Sequence, residues 1–363
     1  TLSICNSNFN STRQSSCKKS PLNTKLNQLK GGFMKRLLNE TDQILNESLL
    51  GFSAAHNEIV SYNPEPRFIF RKGGATKGKV SLISGGGSGH EPLHAGFVGK
   101  GMLDAACPGE VFTSPTPDQM QSAAKIVDGG AGILYIVKNY SGDVMNFEIA
   151  SEMLEQPNKT ILTNDDVAVE DSSFTTGRRG VAGTLIVEKV VGAAAEKGLD
   201  LNICHAIGVK VNSQTRSMGV ALTSCTVPAV GKPTFEISEN EIEMGIGIHG
   251  EPGRKRVALA PADSIAKEMT EAILDDLKPA RGSQVLLFIN GFGGTPSMEL
   301  YLMYNSVAKI LGEQGVTISR SLVGNYVTSL EMNGCSITLT TLDEEISGYW
   351  DAPVHTASLR WKC

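Results

Sequence analysis

The sequence has few of the features that would place it in a membrane, on nucleic acid or outside the cell. Its longest apolar stretches, such as "GILYIV" (132–137) and "VLLFI" (285–289), are of buried-strand length, far short of the about 20 residues a membrane helix needs. Lysine and arginine number 33 against 38 acids, a formal net charge of −5. They are not gathered into the basic field that nucleic acid requires. The seven cysteines, at 5, 17, 107, 204, 225, 335 and 363, form no CxxC. An odd, scattered set in a long chain reads as reduced thiols, most of them buried, in a cytoplasmic protein. No internal repeat is visible. What remains is ordinary, with 40% hydrophobic and 20% charged residues, and 363 residues suffice for two domains with cores of their own. Glycine stands out at 39 residues, many of them following apolar runs, where strands turn into loops that carry function.

Residues 1–33 differ in composition. They carry five basic residues (Arg13, Lys18, Lys19, Lys25, Lys30), no acid, and much Ser and Asn. The apolar core of a secretory signal is missing, and a single arginine is thin for an organellar transit peptide. "LKGGF" before Met34 is also what a purine-rich ribosome-binding site gives when translated in frame. A disordered leader foreign to the mature protein is expected. Without its five positive charges the net moves from −5 to −10.

Beyond the leader, helical spacing over residues 35–55 gives way to alternating strands and helices. "KVSLIS" (79–84) reads as a strand ending in glycines. "TPDQMQSAAKIV" (116–127) is a helix with Thr116 as N-cap, Pro117 at the first helical position and Gln119 completing a capping box. A strand at 132–137 running into a polar loop, a helix at 143–156, a strand at 159–165 and a long apolar-faced helix at 183–198 follow. This rhythm predicts a parallel sheet with helices on both faces. Near Met218 the pattern changes to six strand-like runs, among them "PTFEIS" (233–238), with good helices only around 263–277 and 295–312. The predicted fold is α/β in two domains: residues 34–217 with a parallel sheet, and residues 218–363 with a mixed one.

The densest stretch is "LISGGGSGHEPLH" (82–94), and three chemistries compete for it. His90-Glu91-Pro92-Leu93-His94 spells the zinc motif H-E-x-x-H, which needs both histidines on one helix face. Proline inside a helix costs about 3 kcal/mol but is comfortable at its start, so the helix is expected to begin at Pro92 and leave His90 outside. A dinucleotide fingerprint starting at Gly85 would need glycine at position 90, which is histidine. The Walker-like "GGATKGK" (73–79) is followed by Val80 where a Mg²⁺-binding hydroxyl belongs, and it precedes a strand instead of following one. The third reading is a rim for a small polar ligand. The glycines at 85, 86, 87 and 89 admit close backbone approach, and Ser88 and His90 supply side chains. A structural glycine turn with a solvent-facing histidine fits this stretch equally well.

Two more loops share this style. "VKNYSGD" places Lys138 and Asp143 at the C-terminal end of a strand, where open α/β sheets bind ligands, although a solvated loop reads the same way. "GIGIHGEPG" (245–253) strips bulk from around His249, leaving it either open to a ligand or a satisfied core histidine. His56, His94, His205 and His355 have no such setting and are read as structural.

Taken in order, "SGGGSGHEP", "ACPGEVFTSPTPDQ", "VKNYSGDVMNFE", "NDDVAV", "GRRGVAGT", "TVPAVGKP", "MGIGIHGEPG" and "WDAPVHTASLRW" resemble the dihydroxyacetone-binding subunits of bacterial dihydroxyacetone kinases, from Met34 to the C-terminus. The resemblance implies a phosphotransferase acting on an alcohol group. His249 would capture the substrate ketone as a hemiaminal. Gly87, Ser88, Gly89, His90, Lys138 and Asp143 would bind the substrate, with His90 as proton acceptor and Asp143 beside it at the reacting hydroxyl. It further implies no cofactor or metal in this chain. ADP or ATP with Mg²⁺ would sit on a separate nucleotide-binding subunit, itself fed by a phosphotransferase-system donor. A homodimer in the cytoplasm is expected, with no nucleic acid and no membrane as partner. A ligand-binding coactivator of transcription and a kinase for a ketotetrose such as erythrulose remain open beside it.

Overall fold

The computed structural model describes residues 36–168, 175–251 and 253–363. The expected leader, including Cys5 and Cys17, lies outside the described residues. Helix α1 (Ile44–Ala55) precedes a six-stranded sheet built from β1 (Val60–Pro64), β2 (Arg67–Arg71), β3 (Ser81–Ser88), β5 (Ala105–Val111), β6 (Ile133–Lys138) and β7 (Asn158–Thr163), in the order β1-β2-β5-β3-β6-β7. The four strands from β5 to β7 run parallel, and the β1–β2 hairpin adds an antiparallel edge. Helices α2 (Pro117–Val127), α3 (Ser141–Glu152), α4 (Gly183–Glu196) and α5 (Leu201–Ser213) belong to this half.

A second six-stranded sheet is mixed. It comprises β8 (Thr215–Ala221), β9 (Glu241–Met244), β10 (Lys255–Ala258), β11 (Gln284–Gly291), β12 (Thr317–Gly324) and β13 (Gly334–Leu342), in the order β10-β9-β8-β13-β11-β12, with only β11 and β12 parallel. Helices α6 (Ala262–Leu277), α7 (Ser297–Glu313) and α8 (Glu344–Trp350) accompany it. Strands β14 (Val354–Thr356) and β15 (Arg360–Trp361) close the chain beside the two-residue β4 (Gly99–Lys100). Asn39–Cys363 forms a single compact unit.

Continuous apolar strands follow from burial on both faces. In β6, Leu134 and Ile136 enter the cluster shared with α4, while Ile133, Tyr135 and Val137 face α2 and α3. In β11, Leu286 and Phe288 join that same shared cluster, and Val285, Leu287 and Ile289 pack under α6 and α7. Helix α4 is therefore the middle layer between two sheets. It is buried all round from Gly183 to Ala195, as a helix apolar on most of its circumference must be. Two of its buried residues, Glu188 and Lys189, are charged types.

Several expectations are met. The capping box of Thr116 and Gln119 is present, with Pro117 in the first turn. The expected helices around 263–277 and 295–312 are α6 and α7. Other expectations fail. "PTFEIS" is not a strand: only an isolated bridge joins Pro233 to Thr226. The segment "LNICHAIGVKVNS", for which the sequence reading names no element, is helix α5, capped by the Asp200 carboxylate, which accepts from the Ile203 amide at 2.9 Å. The five described cysteines are unpaired, four of them buried. No described helix is long and apolar enough to cross a membrane.

Candidate functional site

Between β3 and its neighbours the strand order reverses: the chain steps from β3 to β5 on one side, then crosses through α2 to β6 on the other. Ligands of open α/β sheets bind outside the carboxyl ends of strands at such a point. Here those ends carry His90, after β3, and Lys138-Asn139-Tyr140, at the end of β6. The loop after β9 arrives from the second sheet with His249. A cavity of about 540 Å³ opens among Gly87, Phe112, Tyr140, Asp143, His249 and Glu251.

Strand β3 does not end at its glycines. It continues to Ser88, because β5 pairs along Gly85–Gly87 and supplies the ladder that overrides glycine's weak strand preference. The expected helix at Pro92 is not formed either. Residues 91–94 make a turn leading into one 3₁₀ turn, Ala95–Phe97. The carbonyls that would start a helix are taken by the loop after β12. The amides of Leu330 and Thr328 donate to Gly89 and His90 oxygens at 2.8 and 3.2 Å, and the Thr328 hydroxyl donates to the Glu91 oxygen at 2.8 Å.

This clamp also orients His90. Nδ1 lies 2.8 Å from the Thr328 carbonyl oxygen, which can only accept, so Nδ1 carries the hydrogen. Nε2 is left with its lone pair, buried and without a hydrogen-bond partner among the described residues. Burial first, then the nearby His249 and Lys138, hold the ring's pKa well below 6.5, so it is a neutral imidazole.

His249 follows the same logic. Its Nδ1 lies 2.9 Å from the Glu251 carboxylate, and its main-chain amide donates to the other carboxylate oxygen at 2.9 Å. Nδ1 therefore carries a hydrogen, and Nε2 is the ring nitrogen left for a ligand. Burial alone would raise Glu251, but His249 and Arg179 outweigh it and hold the carboxyl at about 2. The His249 ring sits edge-on to His90, Phe112 and Tyr140, with centroids 4.6, 5.3 and 4.6 Å away. Phe112, stacked on His90, has a φ of +56°. A bulky residue in that region persists only where its surroundings hold it.

Lys138 is fully buried behind Asp143, with Nζ 3.4 Å from the Asp143 carboxylate and 3.2 Å from His94 Nε2. A methyl group on Gly86 would stand 2.1 Å from that Nζ, so this glycine makes room for the lysine. A methyl on Gly85 would stand 2.6 Å from the Cys107 carbonyl oxygen, which is held in the β5 ladder. Gly86→Ala should therefore cost about 1–3 kcal/mol, and Gly85→Ala should cost more, because backbone cannot swing aside. Urea melts of the two variants check the order.

Of the residues singled out in the sequence, Gly87, Asp143 and His249 line the cavity, His90 abuts His249, and Lys138 backs Asp143. Two turn to structural bonds. The Ser88 hydroxyl donates to the Gly109 carbonyl at 2.7 Å, and the Gly89 amide donates to the Glu91 carboxyl at 3.0 Å. The sequence reading missed Glu251, Tyr140, Phe112 and Arg179, and it gave His94 a structural role although its ring touches Lys138. For Arg179 a signal existed, an arginine pair between glycines. For Phe112 there was none.

The fold and site define a two-sheet α/β protein that presents two imidazoles, His90 and His249, to one small cavity. The chain belongs to the Dak1 domain family, whose pattern matches residues 50–358. It is 45% identical over 355 residues to the PEP-dependent dihydroxyacetone kinase, dihydroxyacetone-binding subunit DhaK, of Escherichia coli K12, covering 90% of this chain and 99% of that protein. It is 50% identical over 315 residues to the PTS-dependent dihydroxyacetone kinase 1, dihydroxyacetone-binding subunit DhaK, of Listeria innocua, covering 86% and 95%. Among solved structures, the dihydroxyacetone kinase operon co-activator DhaQ superposes with a TM-score of 0.80 at 32% identity, covering 86% of this chain and 97% of that one.

Proposed function

We propose that this chain is the dihydroxyacetone-binding, catalytic subunit of a phosphoenolpyruvate-dependent dihydroxyacetone kinase in the cytoplasm. The observation that carries the reading is the pair of imidazoles whose Nδ1 atoms are engaged by the Thr328 carbonyl and the Glu251 carboxylate, leaving each Nε2 for a ligand, with ring centroids 4.6 Å apart beside one cavity. His249 Nε2 adds to the ketone carbon, forming a C–N bond. The carbonyl π pair moves to oxygen, which takes up a proton from solvent. The positive charge gained by the ring rests against the Glu251 carboxylate at Nδ1. A polyol offers no carbonyl, so capture itself selects the ketone. His90 Nε2 accepts the proton of the hydroxyl that receives the phosphoryl group, and Asp143, whose Oδ1 has no hydrogen-bond partner among the described residues, holds that hydroxyl. Gly87 completes the ligand's wall, and Ser88 and Gly89 fix the loop.

The phosphoryl group comes from a separate subunit that carries ADP or ATP with Mg²⁺ and is recharged by a phosphotransferase-system donor. This chain works as a homodimer. The likeness to a co-activator supports a second reading, in which the ligand is bound but not phosphorylated. The unpartnered His90 Nε2 and Asp143 Oδ1 favour the enzyme, because capture through His249 alone would leave both without a task.

The test combines the chain with a nucleotide-loaded partner subunit and donor system, and follows phosphorylation of dihydroxyacetone and of erythrulose. His90→Ala should retain the ketone adduct by mass spectrometry while turnover falls about 10²- to 10⁴-fold, the scale of a general base. Adduct formation without turnover of either ketone by the unmodified chain would move the assignment to the co-activator. Because His90 ionises only well below pH 6.5, it should still act as base in the wild-type chain as pH falls through that value.

A further inference from the structure

Behind Lys138 lies a chain of groups that the proposed chemistry does not use. His94 Nε2 is 3.2 Å from Lys138 Nζ. On its other side, His94 Nδ1 is 2.6 Å from Glu188 Oε1 and 3.0 Å from the Ser84 hydroxyl, which gives its own hydrogen to the Ile136 carbonyl at 2.6 Å. His94, Lys138 and Glu188 are all buried, Lys138 and Glu188 completely. Glu188 comes from the middle of α4, where an apolar side chain would pack at no electrostatic cost. Its second oxygen, Oε2, has no hydrogen-bond partner among the described residues. A carboxylate left so poorly satisfied is costly, whereas a carboxylic acid is far less so. Burial agrees, pushing the Glu188 pKa up to about 8 and that of His94 well below 6.5.

The chain admits two proton arrangements of equal composition. In one, the Glu188 acid donates to Nδ1 and the Nε2 hydrogen of His94 points at a neutral Lys138 amine. In the other, Glu188 is a carboxylate accepting from Nδ1–H, and a Lys138 ammonium donates to Nε2. Two protons each move across one hydrogen bond, and none enters or leaves. We propose that Glu188, His94 and Lys138 form an internal proton switch, which places positive charge on Lys138, beside Asp143, when anionic oxygen forms in the cavity and withdraws it when the ligand is neutral. Glu188 and His94 are thus positioning residues that act through Lys138. The switch rests on the reading of Lys138 and Asp143 as substrate contacts. A fixed ammonium would stay committed to the Asp143 carboxylate, 3.4 Å away, through every step, whereas the switch supplies the charge when anionic oxygen forms.

Difference infrared spectroscopy on the full chain tests this. Dihydroxyacetone serves as the neutral ligand and dihydroxyacetone phosphate as the anionic one. The carboxylic-acid carbonyl band of Glu188 should persist with the ketone, be lost with the phosphate ester, and be absent from Glu188→Gln. His94→Gln, which cannot pass a proton from one ring nitrogen to another, should keep the band with either ligand. A band that Glu188→Gln does not remove, or one that the phosphate ester leaves unchanged in the wild-type chain, overturns the switch and leaves the site reading standing. Equal binding of both ligands to wild type, Lys138→Ala and His249→Ala overturns the site reading, and the switch with it.

Discussion

His249→Ala abolishes the ketone adduct and lowers kcat/KM for dihydroxyacetone by about 10²- to 10⁴-fold, the scale of a positioned nucleophile or general acid–base group. No described neighbour can replace it. The neighbouring imidazole, His90, has Nδ1 committed to the Thr328 carbonyl, and its Nε2 is needed at the hydroxyl. The loss should be chemical more than structural, because the His249 ring retains some exposure at the cavity wall, so a thermal melt should move little. Intact-mass spectrometry after borohydride-free incubation with the ketone reads the adduct directly. A His249→Ala chain that still gains the ligand's mass would show that capture occurs elsewhere. Glycerol should bind no better to wild type than to the variant, because it offers no carbonyl to lose.

How much of this was legible in the sequence depends on the range of the interaction. The capping box of α2 and the apolar strands β6 and β11 rest on spacing within a few residues, and they were readable. Helix α5 was equally local, with Asp200 as its cap, but its cysteine, histidine and glycine obscured the period. "PTFEIS" alternates like a strand and yet has no neighbouring strand to pair with, a fact that lies outside the segment. At the site, His90, Lys138, Asp143 and His249 announced themselves through glycines and strand ends. The groups that set their chemistry did not. His94 meets Glu188 across 94 positions, and Arg179 meets the Gly245 carbonyl across 66. The local traces were the arginine pair between glycines at 178–179 and charge in the wrong place, with Glu188 and Lys189 interrupting an apolar helix. Such an interruption reports a buried partner without naming it. The glycines were read as ligand-facing, whereas Gly86 serves Lys138 and Gly85 serves the β5 backbone. A missing Cβ shows that something comes close but not what.

Arg179→Met should be the most destabilising of the substitutions considered, by about 3–5 kcal/mol, the cost of removing one partner from a buried ion pair. Arg179 is wholly buried. Its Nε donates to Asp166 Oδ2 at 2.8 Å, Nη2 lies 2.6 Å from the same oxygen, and Nη2 donates to the Gly245 carbonyl at 2.7 Å. The same cation helps to hold the Glu251 carboxyl at about 2, while burial keeps Asp166 at about 6 despite it. Without Arg179 both carboxyls rise, and the pH dependence has a definite sign. Asp166 already titrates above its ordinary 3.8. When a folded-state pKa lies above the unfolded one, the native state binds more protons between the two values, and stability falls as pH rises through that window. In the variant the window widens upward, so the penalty should be smaller at pH 5, where Asp166 can be neutral, than at pH 8. Denaturant melts of wild type and variant at both pH values check this, and a penalty independent of pH would show that packing, not charge, is what Arg179 supplies. Asp166→Asn in the Arg179→Met background should recover part of the loss by removing the stranded carboxylate. It should not restore the ketone adduct fully, because Glu251 would still lack the cation that keeps it ionised against His249 Nδ1. Stability and capture would then part company in one pair of variants, separating what Arg179 does for the fold from what it does for the nucleophile.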